Sequence, residues 1–216
     1  MAYSPSNQTK IILVRHGECQ GNIEHRFRGR KDYPLNARGR RQALELAEEL
    51  KTTFPDAIYS SPLKRAIETA QPIADFFSKK IITDDGLNNI SFGKWEGRLK
   101  SEISEEYPNE WKTWLTSPEK LDMEGVEPMS SIRERALASL LRIGARHSGK
   151  TVIVVSHRTT LKPLLAAILT IPEPYFWKIH VDTASYTTLF YSQERGFCLY
   201  QLNQTKHLTE LNVEWN

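Results

Sequence analysis

Cysteine is scarce in this chain: two residues in 216, Cys19 and Cys198. Two thiols so far apart have neither metal-ligand spacing nor the density of a disulfide scaffold, which points to a reducing compartment. Long apolar runs are missing as well. Nowhere do 18 apolar residues follow one another, so no spanning helix and no membrane partner are expected. The first ten residues carry almost no apolar side chain, so no secretory signal is expected and a cytoplasmic location is. Charge of one sign is also lacking: 29 Lys and Arg stand against 26 Asp and Glu, a net charge of +3. That excess is too small to imply nucleic acid. Internal repeats and low-complexity tracts are absent, and the length suits one α/β domain spanning residues 1–216.

What is present is a set of short hydrophobic runs that end in polar residues. Ile11-Ile-Leu-Val14 leads straight into Arg15-His16-Gly17, and Thr151 to Val155 leads into Ser156-His157. Unbroken β-favouring runs of this length are the pattern of strands buried on both faces. Ala57 to Tyr59 and Lys80 to Thr83 read as further strands, and two alternating segments, Ala184 to Tyr191 and Gly196 to Leu202, as a pair joined by a turn.

Between them lie helical patterns. Asn36 reads as the N-cap of a helix over Ala37 to Thr52, with Ala43, Leu46, Ala47 and Leu50 on one face. Ser61-Pro62 caps and opens a second helix, which Pro72 should kink. Helices are also expected at Lys100 to Tyr107 and through Trp111 and Trp114, those tryptophans reading as packing anchors. Ser131-Ile-Arg-Glu134 has the form of a capping box for a helix reaching His147. Thr159 or Thr160 would cap the helix after His157, with Pro163 tolerated only near its first turn. Alternating strands and helices predict a three-layer α/β/α sandwich with a mostly parallel sheet.

In open parallel sheets, ligands bind beyond the carboxyl ends of the strands. Arg15, His16, His157 and the Ser60-Ser61 turn leading to Arg65 would meet there. Two arginines and two histidines around one point make a pocket suited to a phosphoryl group. The stretch holding Arg26, Arg28, Arg30, Lys31, Arg38, Arg40 and Arg41 either faces an anionic ligand or is a solvated surface.

On these residues the chain resembles the histidine phosphatase superfamily, the phosphoglycerate mutase-like phosphatases, and is nearest in pattern to the metal-independent phosphoserine phosphatases. The likeness is carried by Leu13-Val-Arg-His-Gly-Glu18 with Asn22, by Gly29-Arg-Lys-Asp-Tyr-Pro-Leu35, and by Tyr59-Ser-Ser-Pro-Leu-Lys-Arg65-Ala-Ile-Glu-Thr69. It continues through Phe92-Gly93-Lys-Trp95-Glu96-Gly97, Glu127 with Arg135, and Val154-Val-Ser-His157. The resemblance implies that His16 attacks phosphorus to form a phosphohistidine and that Arg15, Arg65 and His157 hold the phosphoryl oxygens. Asn22 and the Gly29 loop would assist. It further implies a small phosphorylated metabolite as substrate, no cofactor or metal, and a homodimer. His207, in the tail run Leu202 to Leu208, matches a tail histidine that helps bind substrate in phosphoserine phosphatases of this superfamily.

Two positions depart from the pattern. Three residues before Phe92, where the family carries the glutamate that protonates the leaving alcohol, stands Asn89. Either another carboxyl (Asp84, Asp85, Glu18 or Glu127) supplies the proton, or the substrate needs none, as with phosphohistidine, or the chain binds phosphorylated ligands with little turnover. After His157, Arg158 replaces the usual glycine, and it either adds a substrate-facing cation or points to solvent.

Overall fold

The computed structural model describes residues 7–211. The strands are β1 (Thr9–Arg15), β2 (Ala57–Ser60), β3 (Ile81–Thr83), β4 (Thr151–Ser156), β5 (Tyr186–Ser192) and β6 (Gly196–Gln204). The helices are α1 (Gln20–Ile23), α2 (Ala37–Glu49), α3 (Lys64–Phe76), α4 (Lys100–Glu106), α5 (Pro108–Thr116), α6 (Met129–Arg146) and α7 (Arg158–Ile168). Among the described residues the six strands form one sheet in the order β3-β2-β4-β1-β5-β6. The first four are mutually parallel, and β5 and β6 run antiparallel at one side.

The unbroken apolar runs are explained by two cores. Ile12 and Val14 of β1, with Ile58, Ile153 and Val155, pack under α2 and α3. Their neighbours Ile11, Leu13, Tyr59, Val152 and Val154 face the opposite way, under α6, α7 and the α4–α5 insert. Alternate side chains point to opposite faces, so a strand covered on both sides must be apolar throughout. Each large aliphatic side chain so buried contributes about 1.5–3 kcal/mol. This is the three-layer, mostly parallel architecture expected.

Several local expectations are corrected. Asn36 does cap α2, its side chain accepting from Gly39 N at 2.8 Å. Ser61, however, does not cap α3, whose N-cap is Leu63, because the Ser61 hydroxyl is engaged by His157. Ser131 and Glu134 form no capping box. Helix α6 already begins at Met129 behind Pro128, where the buried stripe Met129, Ile132, Ala136, Leu140 and Ile143 starts. Helix α7 starts directly at Arg158, with His157 rather than a threonine as N-cap, so Pro163 sits sixth in the helix. An interior proline costs about 3 kcal/mol. Nine of the eleven residues of α7 are buried, and that burial outweighs the cost. Helix α3 likewise runs through Pro72 to Phe76.

The loop after β1 is pressed onto the first turn of α2. A methyl group on Gly39 would lie 1.9 Å from the carbonyl oxygen of Glu18, and one on Gly17 would lie 2.7 Å from Gly39 O. Both neighbours are backbone and cannot swing aside. Gly39→Ala should therefore destabilise the fold by about 3 kcal/mol, the upper end for overpacking. A melting temperature lowered by several degrees checks this.

Candidate active site

Parallel pairing sets the site. Strand β4 lies between β2 and β1, with Val155 opposite both Ser60 and Val14. The three strands end level, and the next residues are linked: His16 N donates to Ser156 O at 3.0 Å, and Ser61 N to Val155 O at 2.9 Å. His16 and His157 thus meet, with ring centroids 5.1 Å apart. Both are buried, at 2% and 1% exposure.

The tautomer of His16 follows from its partner. Nδ1 lies 2.7 Å from the carbonyl oxygen of Gly17, which can only accept, so Nδ1 carries the proton and Nε2 keeps its lone pair. Burial holds the His16 pKa well below the usual histidine value, and the charges of Arg65, Arg15 and Arg28 reinforce this. His157 is lowered in the same way, by burial first and then by Arg65 and the other nearby groups. Its Nε2 is 2.7 Å from Ser61 Oγ, while its buried Nδ1 has no partner among the described residues.

Arg65 enters from the first turn of α3, fully buried. Its guanidinium donates to Lys31 O at 3.0 Å and Gly29 O at 2.7 Å. Burial lowers its pKa to about 10, which leaves it protonated at neutral pH. Arg15 donates to Val181 O at 2.9 Å. Asn22, on α1, accepts at Oδ1 from the Cys19 backbone at 3.0 Å. Gly29 has φ of +51°, a left-handed conformation suited to glycine.

Gly29 O also accepts from Asn89 Nδ2 at 2.9 Å, and Asn89 Oδ1 accepts from the Thr159 hydroxyl. The Asn89 amide is therefore fixed at both ends. Behind it, Arg135 donates to Gly86 O, Asn88 O and Asn89 O and pairs with Glu127 at 2.7 Å. Burial would raise the Glu127 pKa, but Arg135 and Arg30 hold it below the usual range.

One pocket takes in His16, His157, Gly29, Asn89, Arg158 and Thr159. Phe27, Phe92 and Trp114 add an apolar wall, and Arg26, Arg28 and Lys100 add cations. Among the described lining residues there is no carboxylic acid. Each alternative acid is engaged elsewhere or absent from the lining: Glu18 with Arg38, Glu127 with Arg135, Asp84 with Arg142, while Asp85 is exposed. Arg158 is 6% exposed and lines the pocket rather than pointing to solvent. No group of three or more His, Cys, Asp or Glu among the described residues is placed to hold a metal ion, and no helix among them is long and apolar enough to cross a membrane.

His207 lies elsewhere. It contacts Ala184 O at 3.1 Å and borders a separate hollow with Leu44 and Glu45, because the tail crosses the α2 side of the sheet. Sequence reasoning passed over Lys100 and the bond from Thr159 to Asn89, since a lysine opening a helix and a threonine in a first turn are ordinary. Trp114 is a packing anchor, with its ring 5.3 Å from both Phe27 and Phe92, and it is pocket wall too.

Two buried neutral histidines link stability to pH. Below about pH 6.5 the unfolded chain takes up protons at both positions while the folded chain does not, so stability falls as pH drops below that point. The expected slope is about 1.4 kcal/mol per pH unit per histidine until each folded-state pKa is reached. Denaturant titrations across acidic pH measure it, and His157→Gln should reduce it by one histidine's share, with His147 and His207, whose pKa values burial also lowers, adding to the remainder.

The model of the histidine phosphatase superfamily (branch 1) matches residues 11–204 of this chain. Phosphoserine phosphatase 1 of Hydrogenobacter thermophilus is 38% identical over 205 residues, covering 95% of this chain and 97% of that protein. The solved structure of Bacillus stearothermophilus YhfR superposes with a TM-score of 0.89 at 31% identity, covering 93% of this chain and 99% of that one. The phosphoserine phosphatase of Entamoeba histolytica, solved with 3-phosphoglyceric acid, gives a TM-score of 0.81 at 31% identity over 93% of this chain and 99% of its own.

Proposed function

This chain belongs to the histidine phosphatase superfamily, and we propose that it hydrolyses small phosphomonoesters, phosphoserine-like ones favoured, through a phosphohistidine on His16. The observation that carries this is the His16 imidazole itself: burial and the nearby arginines keep it neutral, with Nδ1 tied to Gly17 O and Nε2 left with its lone pair. In this reading Nε2 attacks phosphorus in line as the ester P–O bond breaks, and its electron pair leaves with the alcohol oxygen, which takes a proton from water. Water then attacks the phosphohistidine, releasing phosphate and restoring the ring. Arg15, Arg65, His157 and Asn22 hold the phosphoryl oxygens. Phosphoryl transfer needs chiefly positioning and fixed positive charge, so the reaction runs without a metal. The described residues 7–211 act as one domain, residues 1–6 and 212–216 lying outside the described part.

A second reading is favoured by the lack of a carboxylic acid among the described pocket-lining residues. Asn89 cannot donate and recover a proton as a carboxyl can, so substrates that leave without protonation, such as phosphohistidine or aryl phosphates, would turn over best. Assays in chelator with an aryl phosphate and phosphoserine, with rapid-quench trapping of an acid-labile phosphoenzyme, test both. Hydrolysis of both supports the first reading, and hydrolysis of the aryl ester alone supports the second. If neither reacts while phosphate still raises the melting temperature, the chain is a phospho-ligand-binding relative.

A further inference from the structure

The carbonyl of Val181 receives an N–H of Arg15 at 2.9 Å, and the loop that carries it is tied to the nucleophile's strand twice more. Arg15 N donates to Ser185 O at 3.1 Å, and Ala184 N donates to His16 O at 3.2 Å. This loop, residues 181–185, does not hold itself. Ala184 is fully buried with φ of +53°, a left-handed conformation that persists at a residue with a side chain only where the surroundings over-determine it.

Part of that support comes from β6. Tyr186 pairs with Gln204 and Thr188 with Gln201, so two steps along β5 face three along β6. The extra residue makes a bulge, and bulges re-aim side chains. Here Asn203, with φ of +50°, turns its amide onto Asp182. Asp182 N donates to Asn203 Oδ1 at 2.7 Å, and Asn203 Nδ2 donates to Asp182 Oδ2 at 2.9 Å. Asp182 is 4% exposed, and its other carboxylate oxygen lies 2.8 Å from His180 Nε2. The N–H of Asp182 and the carbonyl of Val181 belong to one planar peptide group, so fixing the first fixes the direction of the second. Asn203 therefore grips one side of the peptide whose other side holds Arg15.

Resting on the phosphatase reading above, we infer that Asn203 is a positioning residue for Arg15, fixing the Val181–Asp182 peptide whose carbonyl orients the guanidinium for the phosphoryl group. Asparagine suits the place because one side chain both accepts and donates, and because it tolerates a left-handed backbone. Such remote support matters: a misplacement of about 1 Å at a reacting centre can cost about 10²-fold in rate.

Asn203→Gly tests this without straining the chain, because glycine adopts a positive φ freely. It should lower kcat for para-nitrophenyl phosphate by about 10-fold or more and weaken the calorimetric affinity for inorganic phosphate. A residue that merely held the fold together would lower the melting temperature and leave kcat, measured well below it, unchanged. Asn203→Asp sets one carboxylate against another and should be at least as damaging. Joined to Asp182→Asn, it restores both bonds at the same net charge, the side-chain bond now running the other way, and should recover most of the lost turnover. In an Arg15→Lys background Asn203→Gly should cost much less, since the guanidinium it positions is already gone. Unchanged kcat and phosphate affinity in Asn203→Gly, no recovery in the exchanged pair, or an equal loss in the Arg15→Lys background would overturn the role of Asn203. If the unaltered chain hydrolyses no aryl ester, the phosphatase reading fails instead, and the phosphate affinities of the same variants still decide that role.

Discussion

His16→Ala is expected to lower turnover of an aryl phosphate by about 10⁴-fold or more and to abolish the phosphoenzyme. A loss of that size is typical when a covalent nucleophile is taken from a site whose groups act as a unit. The physical basis is the pairing of an unprotonated Nε2 with a set of fixed charges. Arg15 and Arg65 are buried at 1% and 0% exposure and anchored on backbone carbonyls, so in the proposed reaction they would stabilise charge on phosphorus without reorganising. Alanine leaves that cradle in place. Phosphate should still bind and raise the melting temperature, which separates a missing nucleophile from a collapsed pocket. A labelled phosphoenzyme that persisted in the variant would move the nucleophile elsewhere.

Asn89→Glu should act in the opposite direction. On an alkyl phosphate, whose leaving oxygen must be protonated, the gain should be about 10² to 10⁴-fold, the usual contribution of a placed general acid. On an aryl phosphate it should be small. The surroundings favour a protonated carboxyl: the position is 5% exposed, Gly29 O is an acceptor beside it, and both raise a carboxyl pKa. Arg135, which donates to the Asn89 carbonyl, opposes this in part. Rates on both esters, before and after the exchange, give the answer. An unchanged alkyl rate would mean that another group already donates the proton.

Much of the fold was legible because burial on both faces writes itself into composition. The runs Ile11 to Val14 and Thr151 to Val155 have no polar interruption, and each meets a helical layer on either side. Helix boundaries were less legible. Ser61 has the chemistry of a cap, yet its hydroxyl serves His157. Pro163 looks like a breaker, yet α7 is buried almost throughout. In both cases a tertiary contact outweighs a local preference of a few kcal/mol, and that contact is not local in sequence.

The candidate site divides along the same line. Sequence by itself determined which side chains stand at the ends of the central strands, because the apolar run stops where the polar residue begins: Arg15 and His16 after one strand, His157 after another. It also determined that Asn89 stands where an acid is expected. Only the tertiary structure decided that the order β2-β4-β1 brings Ser61, His157 and His16 together, that none of four alternative carboxyls lines the pocket, and that His207 lies away from it. The same holds for Arg158, which lies along the pocket. Adjacency across a sheet depends on which strands pair, and the direction of a side chain at a helix start depends on where the helix begins. Both are settled by packing of the whole chain, whereas the alternation that marks a buried strand is settled within a few residues.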